Sequence, residues 1–453
     1  MPEKTLIIST SGVRGIVGNG LDPTVATNFA AAFGTFLKRG TVVVGRDSRI
    51  SGEMLKRAVI SGLQATGIDV IDIGLVPTPT VEIAVKELKA AGGICITASH
   101  NPAIWNALKF FNRRGEFATP EQFDKIEKLY NSQDFSFVPF NKIGKIETQT
   151  DWVEKHIKKT LALKAVRKSA IARRKFKIVV DAINGAGSTA LPDLLERLGA
   201  KVFRINCNGD GNFVHGAEPV PKNLKQLGRE VLKRKADIGL ATDPDADRLA
   251  IVDEKGKPIG EELTLAIAVR EITKRFKGPT VINISTSKVT ADEAAQNGSK
   301  VYYSQVGESN VVQMMHKKKA VIGGEGNGGV IYPTFHAGRD ALVAAALILS
   351  CLAGEKRKVS DLVATLSRYY TIKTKAKQPA NFDKNLKSFE KEVKNFVANP
   401  RISKLDGLRA DFDEGWLLVR KSKTEPIFRL MVETNNAKFS RELSKKVMNY
   451  FVK

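Results

Sequence analysis

Residues 176–207 read FKIVVDAINGAGSTALPDLLERLGAKVFRINC, and this stretch decides the fold class. An apolar run is followed by a turn of small and polar residues, a helix-like run and a second apolar run. The helix-like run stops at Gly199, and glycine is the residue that most often follows the end of a helix. The order predicts a strand–helix–strand crossover between parallel strands, the basic unit of an α/β fold.

The same pattern occurs in two other segments of the chain. Residues 41–74 read TVVVGRDSRISGEMLKRAVISGLQATGIDVIDIG, and residues 279–307 read PTVINISTSKVTADEAAQNGSKVYYSQVG. Their helix-like runs stop at Gly67 and Gly298. A single unit of this kind is common, but three copies roughly a hundred residues apart are typical of repeated domains. The sequence therefore predicts three related mixed α/β domains with largely parallel sheets.

The last part of the chain has a different pattern. After residues 368–380, RYYTIKTKAKQPA, a helix over 382–397 is followed by alternating strand-like runs and a final helix from Lys438. We therefore predict a C-terminal α+β domain joined through a basic hinge near 371–380. The predicted domain boundaries are 1–150, 151–256, 257–370 and 371–453.

The charge of the chain is strongly positive. Its 453 residues include 72 Lys and Arg against 48 Asp and Glu, which gives a net charge of +24. Nucleic-acid binding is the first interpretation of such a charge. However, the basic residues are spread over amphipathic helices, without interleaved aromatic residues or a known binding motif. We interpret them as solvated helix faces that also attract small anions, and expect no nucleic-acid partner.

Nothing in the sequence predicts a membrane segment. The longest apolar run, residues 341–352, contains Ser350 and indicates a buried helix. The N-terminus has no basic segment followed by an apolar stretch. The three cysteines are far apart and fit neither a disulfide framework nor a zinc site. We therefore expect a cytoplasmic protein without a membrane partner.

The first candidate site loop lies within GICITASHNPAIWNALKFF, residues 93–111. Ser99 and His100 follow an apolar run and precede an Asn-Pro turn, and Lys109 comes ten residues after Ser99. One interpretation is that Ser99 only turns the chain and His100 has no role. A hydrolase nucleophile is a second, but no G-x-S-x-G motif surrounds Ser99. A serine that holds a phosphoryl group is the third.

The second candidate loop carries three aspartates between two strand-like runs. Asp243, Asp245 and Asp247 alternate with other residues, and three carboxylates at this spacing can converge on magnesium or calcium. An EF-hand is excluded because Arg248 stands where glycine is needed and residues 249–253 read as a strand. Acids that crowd together without a metal are the simpler alternative, but their mutual repulsion favours a bound cation.

Two further loops have side chains suited to a sugar phosphate. The glycine-rich stretch 321–333, VIGGEGNGGVIYP, offers Glu325 and Asn327 to hydroxyl groups. Cations and hydroxyls suited to a dianionic phosphate cluster in 417–430, LLVRKSKTEPIFRL. These residues are Arg420, Ser422, Lys423, Thr424 and, close by, Arg429. A plain glycine-rich turn and an ordinary basic hairpin are the alternatives.

Five motifs in chain order together resemble the α-D-phosphohexomutase family, which comprises phosphoglucomutases, phosphomannomutases and phosphoglucosamine mutases. The motifs are TSGVRG (10–15), TASHNP (97–102), DPDADR (243–248), GEGNGG (324–329) and RKSKTEP (420–426). The resemblance covers the whole chain, and TASHNP together with DPDADR is its most specific part. It implies a heart-shaped enzyme of four domains, with one loop from each domain meeting in a central cleft.

The resemblance also implies a role for each matching residue. It implies that Ser99 is a phosphoserine and that magnesium is bound by Asp243, Asp245, Asp247 and Ser99. The positions that line the reacting phosphoryl group are matched by Arg14, His100, Lys109 and Arg248. The sugar-hydroxyl loop and the distal phosphate clamp are matched by Glu325, Asn327, Arg420, Ser422, Lys423 and Thr424.

The implied activity is that of an intramolecular phosphotransferase of the isomerase class. Such an enzyme interconverts hexose 1-phosphate and hexose 6-phosphate through a phosphoserine and a hexose 1,6-bisphosphate. Mg²⁺ is the implied cofactor, and the bisphosphate is the implied activator. We expect Lys109 to act as general base if burial and nearby cations lower its pKa toward neutrality, with His100 as the alternative.

The preferred sugar is predicted from the form of the glycine-rich loop. Asn327 stands where many family members carry serine, and GEGNGG is most similar to the archaeal-type phosphoglucosamine mutases. Phosphomannomutase and phosphoglucomutase are the alternatives; a metal-dependent phosphatase and a basic nucleic-acid-binding protein are more distant ones. The chain departs from the family at Pro244, Ala246 and Lys423, where glycine is frequent. Oligomeric state and the resting phosphorylation of Ser99 stay open at this point.

Overall fold

The computed structural model describes residues 5–422 and 426–452, which form four β-sheets that follow one another along the chain. The first sheet has eight strands. Its part of the chain contains, in order, β1 (Ile7–Ser9), β2 (Gly12–Val17), β3 (Gly20–Leu21), α1 (Pro23–Leu37), β4 (Thr41–Arg46), α2 (Gly52–Ala65), β5 (Asp69–Leu75), α3 (Thr78–Glu87), β6 (Gly92–Ile96), β7 (Trp105–Asn112), α4 (Pro120–Ser132) and β8 (Ile146–Thr148).

Helices cover both faces of the first sheet. The strand order is β1-β2-β7-β6-β4-β5-β8, with β3 beside β2; β4, β5, β6 and β8 are parallel, and β7 runs antiparallel to β6. Val42 and Val44 of β4 pack into one hydrophobic core, whereas Val43 packs into a second core on the opposite face. Burial on both faces explains why the strands read as continuous apolar runs.

The second and third sheets repeat one topology. The second part contains α5 (Trp152–Ala162), α6 (Lys168–Arg174), β9 (Lys177–Asp181), α7 (Gly187–Arg197), β10 (Lys201–Ile205), α8 (Lys225–Arg234), β11 (Ile238–Thr242) and β12 (Leu249–Asp253). The third contains α9 (Glu261–Arg275), β13 (Thr280–Asn283), α10 (Lys288–Gln296), β14 (Val301–Ser304), α11 (Glu308–Lys318), β15 (Ile322–Glu325), β16 (Gly329–Ile331), α12 (Ala341–Glu355) and α13 (Val359–Val363). The orders β10-β9-β11-β12 and β14-β13-β15-β16 each combine three parallel strands with one antiparallel edge strand.

The three predicted crossovers are confirmed. The parallel pairs β4–β5, β9–β10 and β13–β14 are each joined through one helix. The predicted stops Gly67, Gly199 and Gly298 have φ angles of +76°, +88° and +73°. This left-handed conformation ends a helix and favours glycine.

The fourth sheet is entirely antiparallel, with the order β17-β21-β20-β19-β18. The elements of this part are β17 (Tyr370–Lys377), α14 (Phe382–Glu392), β18 (Arg401–Ser403), β19 (Leu408–Phe412), β20 (Gly415–Lys421), β21 (Ile427–Thr434) and α15 (Ala437–Val452). The α+β character is confirmed, but the hinge predicted near 371–380 is wrong for most of its length. Strand β17 pairs with β21 at all eight of its residues and belongs to the sheet.

The long apolar run forms α12, which is buried from Ala341 to Ala353, as predicted. Over residues 5–422 and 426–452, none of the helices combines the length and apolar character needed to cross a membrane.

The repeated topology places three loops at equivalent positions. Strands β6, β11 and β15 each lie between a parallel neighbour and an antiparallel one. Each of these strands ends at a loop that the sequence selected: the Ser99 loop after β6, the aspartate loop after β11 and the glycine-rich loop after β15. Loops at the carboxyl ends of parallel strands are the usual ligand sites of α/β sheets.

Candidate active site

The Ser99 loop and the aspartate loop meet. The Ser99 side chain donates a hydrogen bond from Oγ to Oδ2 of Asp243 over 2.9 Å, although 144 residues separate the two in sequence. Ser99 has a φ of +47° and a relative exposure of only 8%. A serine in this left-handed conformation is unusual, and such strain is typical of functional sites. The hydroxyl is therefore held against the carboxylates.

The three aspartates form a buried cluster whose ligand oxygens lie within 4.8 Å of one another. Oδ1 of Asp245 and Oδ1 of Asp247 are buried and accept no hydrogen bond from any residue that the structure describes. Burial, together with repulsion from Asp247 and Asp245, raises the pKa of Asp243 well above its usual range. Crowded carboxylates with unpaired oxygens are a donor set that fits a hard divalent cation.

The backbone of the aspartate loop explains one departure from the family. Ala246 has a φ of +52°, in the left-handed region that glycine adopts without strain. Alanine keeps the same loop path at a cost of about 1 kcal/mol. The backbone amides of Asp247 and Arg248 donate to Oδ1 of Asp243 over 3.2 and 3.1 Å and so close the turn.

Lys109 lies on β7 and extends into the acidic cluster. Its Nζ is 2.6 Å from Oδ2 of Asp245 and 3.5 Å from Oδ2 of Asp247. Burial lowers the pKa of Lys109, but the two carboxylates more than offset this and raise the pKa above its ordinary value. The lowered pKa expected from nearby cations is therefore absent, because the nearest charged neighbours are acids. In this arrangement Lys109 neutralises the cluster.

Cationic side chains surround His100, the residue after Ser99. Arg248, together with burial, lowers the pKa of His100 well below its usual range, so the imidazole is neutral. Nδ1 of His100 is 3.4 Å from Oγ of Ser99. Burial and the nearby Arg248 also lower the pKa of Arg14. Nε of Arg248 is buried without a hydrogen-bond acceptor among the described residues, although it lies 3.7 Å from Oδ1 of Asp247 and 4.0 Å from Oδ2 of Asp243. Two guanidinium groups placed this way form a site suited to an anion.

The sugar-hydroxyl candidates lie at the end of β15. Oε1 of Glu325 accepts hydrogen bonds from Nδ2 of Asn283 (2.8 Å) and from the Gly307 amide (3.0 Å). Oδ1 of the half-buried Asn327 accepts a hydrogen bond of 3.1 Å from the Gly329 amide. Glu325 is thus held in a fixed position, and its carboxylate can accept further hydrogen bonds from a ligand.

The phosphate-clamp candidates are only partly described. Arg420 is the second-last residue of β20, and its Nε is 3.3 Å from Oδ2 of Asp406. The same Asp406 oxygen accepts a hydrogen bond of 3.0 Å from the Val306 amide, which joins the fourth sheet to the loop beside Glu325. Ser422 donates its amide to the Ile427 carbonyl over 2.9 Å, and Arg429 lies opposite Arg420 across the β20–β21 pair. Lys423 and Thr424 lie outside the described residues.

The sequence did not indicate Arg49, which binds the backbone of the Ser99 loop. This buried guanidinium donates hydrogen bonds of 2.6–2.8 Å to the carbonyls of Ser99, Asn101, Pro102 and Trp105. Its Nε is 3.0 Å from Asp47, which also accepts a hydrogen bond of 2.6 Å from Thr97. The available signal was the position of GRDSR at the carboxyl end of β4, the parallel neighbour of β6.

Arg339 is a second residue that the sequence did not indicate. Its guanidinium contacts Asp247 of the aspartate loop and Glu325 of the glycine-rich loop. Thr78 also supports the cluster, because its Oγ1 donates to Oδ2 of Asp245 over 2.6 Å. Neither residue lies in a recognisable motif.

Comparison with known proteins gives matches along the whole chain. The models described as phosphoglucomutase/phosphomannomutase, alpha/beta/alpha domains I, II and III, match residues 5–137, 154–256 and 260–370. The model described as the C-terminal domain of the same proteins matches residues 372–449.

Individual relatives match over similar lengths. A phosphoglucomutase/phosphomannomutase of Thermococcus kodakarensis is 39% identical over 446 residues, which cover 96% of each chain. A probable phosphoglucosamine mutase of Pyrococcus abyssi is 36% identical over 439 residues, again 96% of each. The solved structure of a phosphoglucomutase/phosphomannomutase family protein from Burkholderia thailandensis is similar with a TM-score of 0.86 and 27% identity, over 98% of this chain and 97% of that one.

Proposed function

The chain belongs to the phosphoglucomutase/phosphomannomutase family and is a hexose phosphate mutase, and we propose that Ser99 carries its phosphoryl group and that glucosamine phosphate is its preferred sugar. The observation that carries the proposal is the distance of 2.9 Å between Oγ of Ser99 and Oδ2 of Asp243. It places the hydroxyl at the edge of the only cluster of metal-ligating side chains found among the described residues.

The metal proposed for this cluster is Mg²⁺, held by Asp243, Asp245, Asp247 and Ser99. The two buried carboxylate oxygens without a hydrogen bond among the described residues and the all-oxygen donor set support this choice. When bound, the ion supplies positive charge against the dianionic phosphoryl group. We propose that hexose 1,6-bisphosphate activates the protein by phosphorylating Ser99.

The residues around Ser99 have separate roles in the proposed transfer. Arg14 and Arg248 bind the oxygens of the phosphoryl group and orient it. Of the two candidates for accepting the proton of the sugar hydroxyl, we favour His100 over Lys109, because the imidazole is neutral whereas Asp245 and Asp247 raise the pKa of Lys109. The bond between the serine oxygen and phosphorus breaks as the bond from the sugar oxygen forms, so no water takes part.

The other end of the substrate, a hexose phosphate, binds to the fourth domain in this proposal. Arg420, Ser422, Lys423 and Thr424 hold its existing phosphate, with Arg429 close by. Glu325 and Asn327 bind ring hydroxyls. The bisphosphate formed by the first transfer turns end for end before its other phosphate returns to Ser99. Domains 1–150, 151–256, 257–370 and 371–453 each contribute one loop.

Glucosamine phosphate is proposed because GEGNGG is the form similar to archaeal-type enzymes and because the Pyrococcus abyssi relative bears that name. The Thermococcus kodakarensis relative bears the other name, so glucose and mannose phosphates are the alternatives.

The test compares turnover of glucosamine, glucose and mannose 1-phosphates, each primed with a trace of the matching hexose 1,6-bisphosphate. We expect the 6-phosphate as product without inorganic phosphate, and at least about tenfold faster turnover of glucosamine phosphate. Ser99→Ala should lose at least about 10³-fold in kcat and show no added phosphate in its intact mass. Release of inorganic phosphate would instead identify a phosphatase, and a phosphorylated Ser99→Ala protein would exclude Ser99 as the carrier.

A further inference from the structure

One guanidinium group joins the aspartate loop to the glycine-rich loop. Nη2 of Arg339 is 2.7 Å from Oδ2 of Asp247, and Nη1 of Arg339 is 2.8 Å from Oε2 of Glu325. These two acids come from different sheets and have different roles in the proposed function. The same arginine also has its Nε 3.2 Å from Oε2 of Glu308, and its backbone amide donates to Oε1 of Glu308 over 2.7 Å.

The path of the Arg339 side chain is fixed by its surroundings. The residue is only 8% exposed. Its Cδ lies 2.2 Å from the position that a Cβ at residue 329 would occupy, so Gly329 leaves the space for it. Asp340, the next residue, accepts backbone hydrogen bonds at the start of α12 and anchors the chain there. The arginine therefore cannot turn away from both acids without repacking.

The two carboxylate oxygens of Asp247 have different neighbours. Oδ2 of Asp247 contacts Arg339 and Lys109, whereas Oδ1 is buried, accepts no hydrogen bond within the described part of the chain and has only the more distant Nε of Arg248, at 3.7 Å, as an ionic neighbour in that part. A cation therefore has Oδ1 available. Because the two Nη atoms of a guanidinium are rigidly spaced, a shift of Asp247 toward a cation is transmitted to Glu325.

We propose that Arg339 is a positioning residue that couples cation binding at the aspartate triplet to the orientation of Glu325, so that Mg²⁺ and the sugar phosphate each strengthen the binding of the other. The inference rests on the proposed function in taking Glu325 as the residue that binds ring hydroxyls. Coupling of this kind is reciprocal and has a measurable size.

The experiment measures Mg²⁺ binding by calorimetry, with and without saturating glucosamine 6-phosphate, on protein whose intact mass shows no phosphate and without any bisphosphate, a background in which no phosphoryl group is available for turnover. In that background we expect the sugar phosphate to lower the Kd for Mg²⁺ by about fivefold or more. Arg339→Lys keeps the positive charge but has one nitrogen in place of the two Nη atoms that contact Asp247 and Glu325. It should bring the ratio of the two Kd values close to one. An unchanged ratio, or equal weakening of both ligands with the ratio preserved, would overturn the proposal.

Arg270→Lys is the matched control. Arg270 is also a largely buried arginine between two acids, with Nε 2.8 Å from Glu355 and Nη1 3.4 Å from Glu293, but it contacts neither loop. It should keep the parent ratio, and loss of the ratio there would show that any buried arginine produces the effect.

A second variant covers the case in which Arg339→Lys does not fold. Glu325→Gln removes one of the two carboxylates that contact Arg339, so Arg339 should bind Asp247 more strongly. Mg²⁺ binding without sugar should then weaken by about threefold or more, although Glu325 is not a metal ligand. An unchanged Kd for Mg²⁺ would overturn the coupling. A protein that binds Mg²⁺ but no hexose phosphate would contradict the proposed function, and this measurement would still decide the role of Arg339.

Discussion

At the scale of single residues, the side chains that perform the chemistry and those that hold them differ in how visible they are in the sequence. Ser99 and the three aspartates lie in dense local motifs. Arg49 contacts the carbonyls of residues 50 to 56 positions away. Arg339 lies 92 residues from Asp247. Such contacts exist only after the sheets assemble, so residue type and spacing could not predict them.

Arg49→Lys should slow the enzyme without unfolding it. A lysine has one nitrogen in place of the two Nη atoms of Arg49 that donate to four carbonyls. The left-handed conformation of Ser99 should therefore lose its support. We expect kcat to fall about 10- to 100-fold, as small misplacements of reacting groups do, with a smaller change in KM.

The control for Arg49→Lys is Arg46→Lys in the same GRDSR motif. Arg46 donates to the Asp47 carbonyl and pairs with Glu53, and makes no contact with the Ser99 loop. Equal losses of kcat in the two variants would argue against a specific role for Arg49, as would a loss confined to KM.

At the scale of elements, the sequence predicted those helices and strands whose formation depends on residues close together in the chain. The three crossovers follow from apolar runs and glycine stops, and all three are present. Strand β17 was mistaken for a hinge because its lysines dominate the composition. Its residues nevertheless alternate between exposed and half-buried from Thr374 to Lys377, which is the period of an edge strand. Its partner β21 lies about fifty residues later, beyond any local signal.

The glycine stops allow the cost of left-handed backbone to be separated from the cost of crowding. A Cβ added at Gly298 meets no atom within 4 Å, whereas at Gly199 it meets Cα of Ala172 at 3.0 Å. Gly298→Ala should lower the free energy of unfolding by about 1 kcal/mol, and Gly199→Ala by about 2 kcal/mol or more. Urea unfolding measures both, and a Gly298→Ala protein less stable than Gly199→Ala would contradict the assignment.

At the scale of the whole molecule, a buried cluster joins the first three parts of the chain. Oδ2 of Asp340 is 2.9 Å from Nε2 of His336 and 2.9 Å from Nε2 of His156, which lies on α5. Nδ1 of His336 is 3.2 Å from Oε2 of Glu82 on α3. His156 also contacts Thr80 of α3 over 2.9 Å. No sequence motif predicted this cluster, because its members become neighbours only when the domains pack together.

The protonation of this cluster ties stability to pH. Burial lowers the pKa of His336, but hydrogen bonds to Asp340 and Glu82 outweigh it and raise the pKa from 6.5 to about 9. Burial raises the pKa of Glu82 to about 8, with Glu308, Lys109 and His336 as its charged neighbours. The folded state thus holds protons more tightly than the unfolded chain. The contribution of His336 to stability is complete below pH 6.5 and is lost as pH rises toward 9, whereas the contribution of Glu82 is complete below pH 4.5 and is lost as pH rises toward 8.

We therefore expect the free energy of unfolding to fall by about 2 kcal/mol between pH 6.5 and 9, a loss that belongs to the Glu82–His336 pair as a unit. His336→Gln should weaken this dependence because glutamine does not titrate, and the part that remains belongs to the buried Glu82. His316→Gln is the control: the half-exposed His316 lies 2.7 Å from the buried Glu116 and also bridges the third and first domains, but solvent screens the pair on the histidine side. Urea midpoints across the pH range test this, since a slope as steep in His336→Gln as in the parent protein would place the titrating group elsewhere.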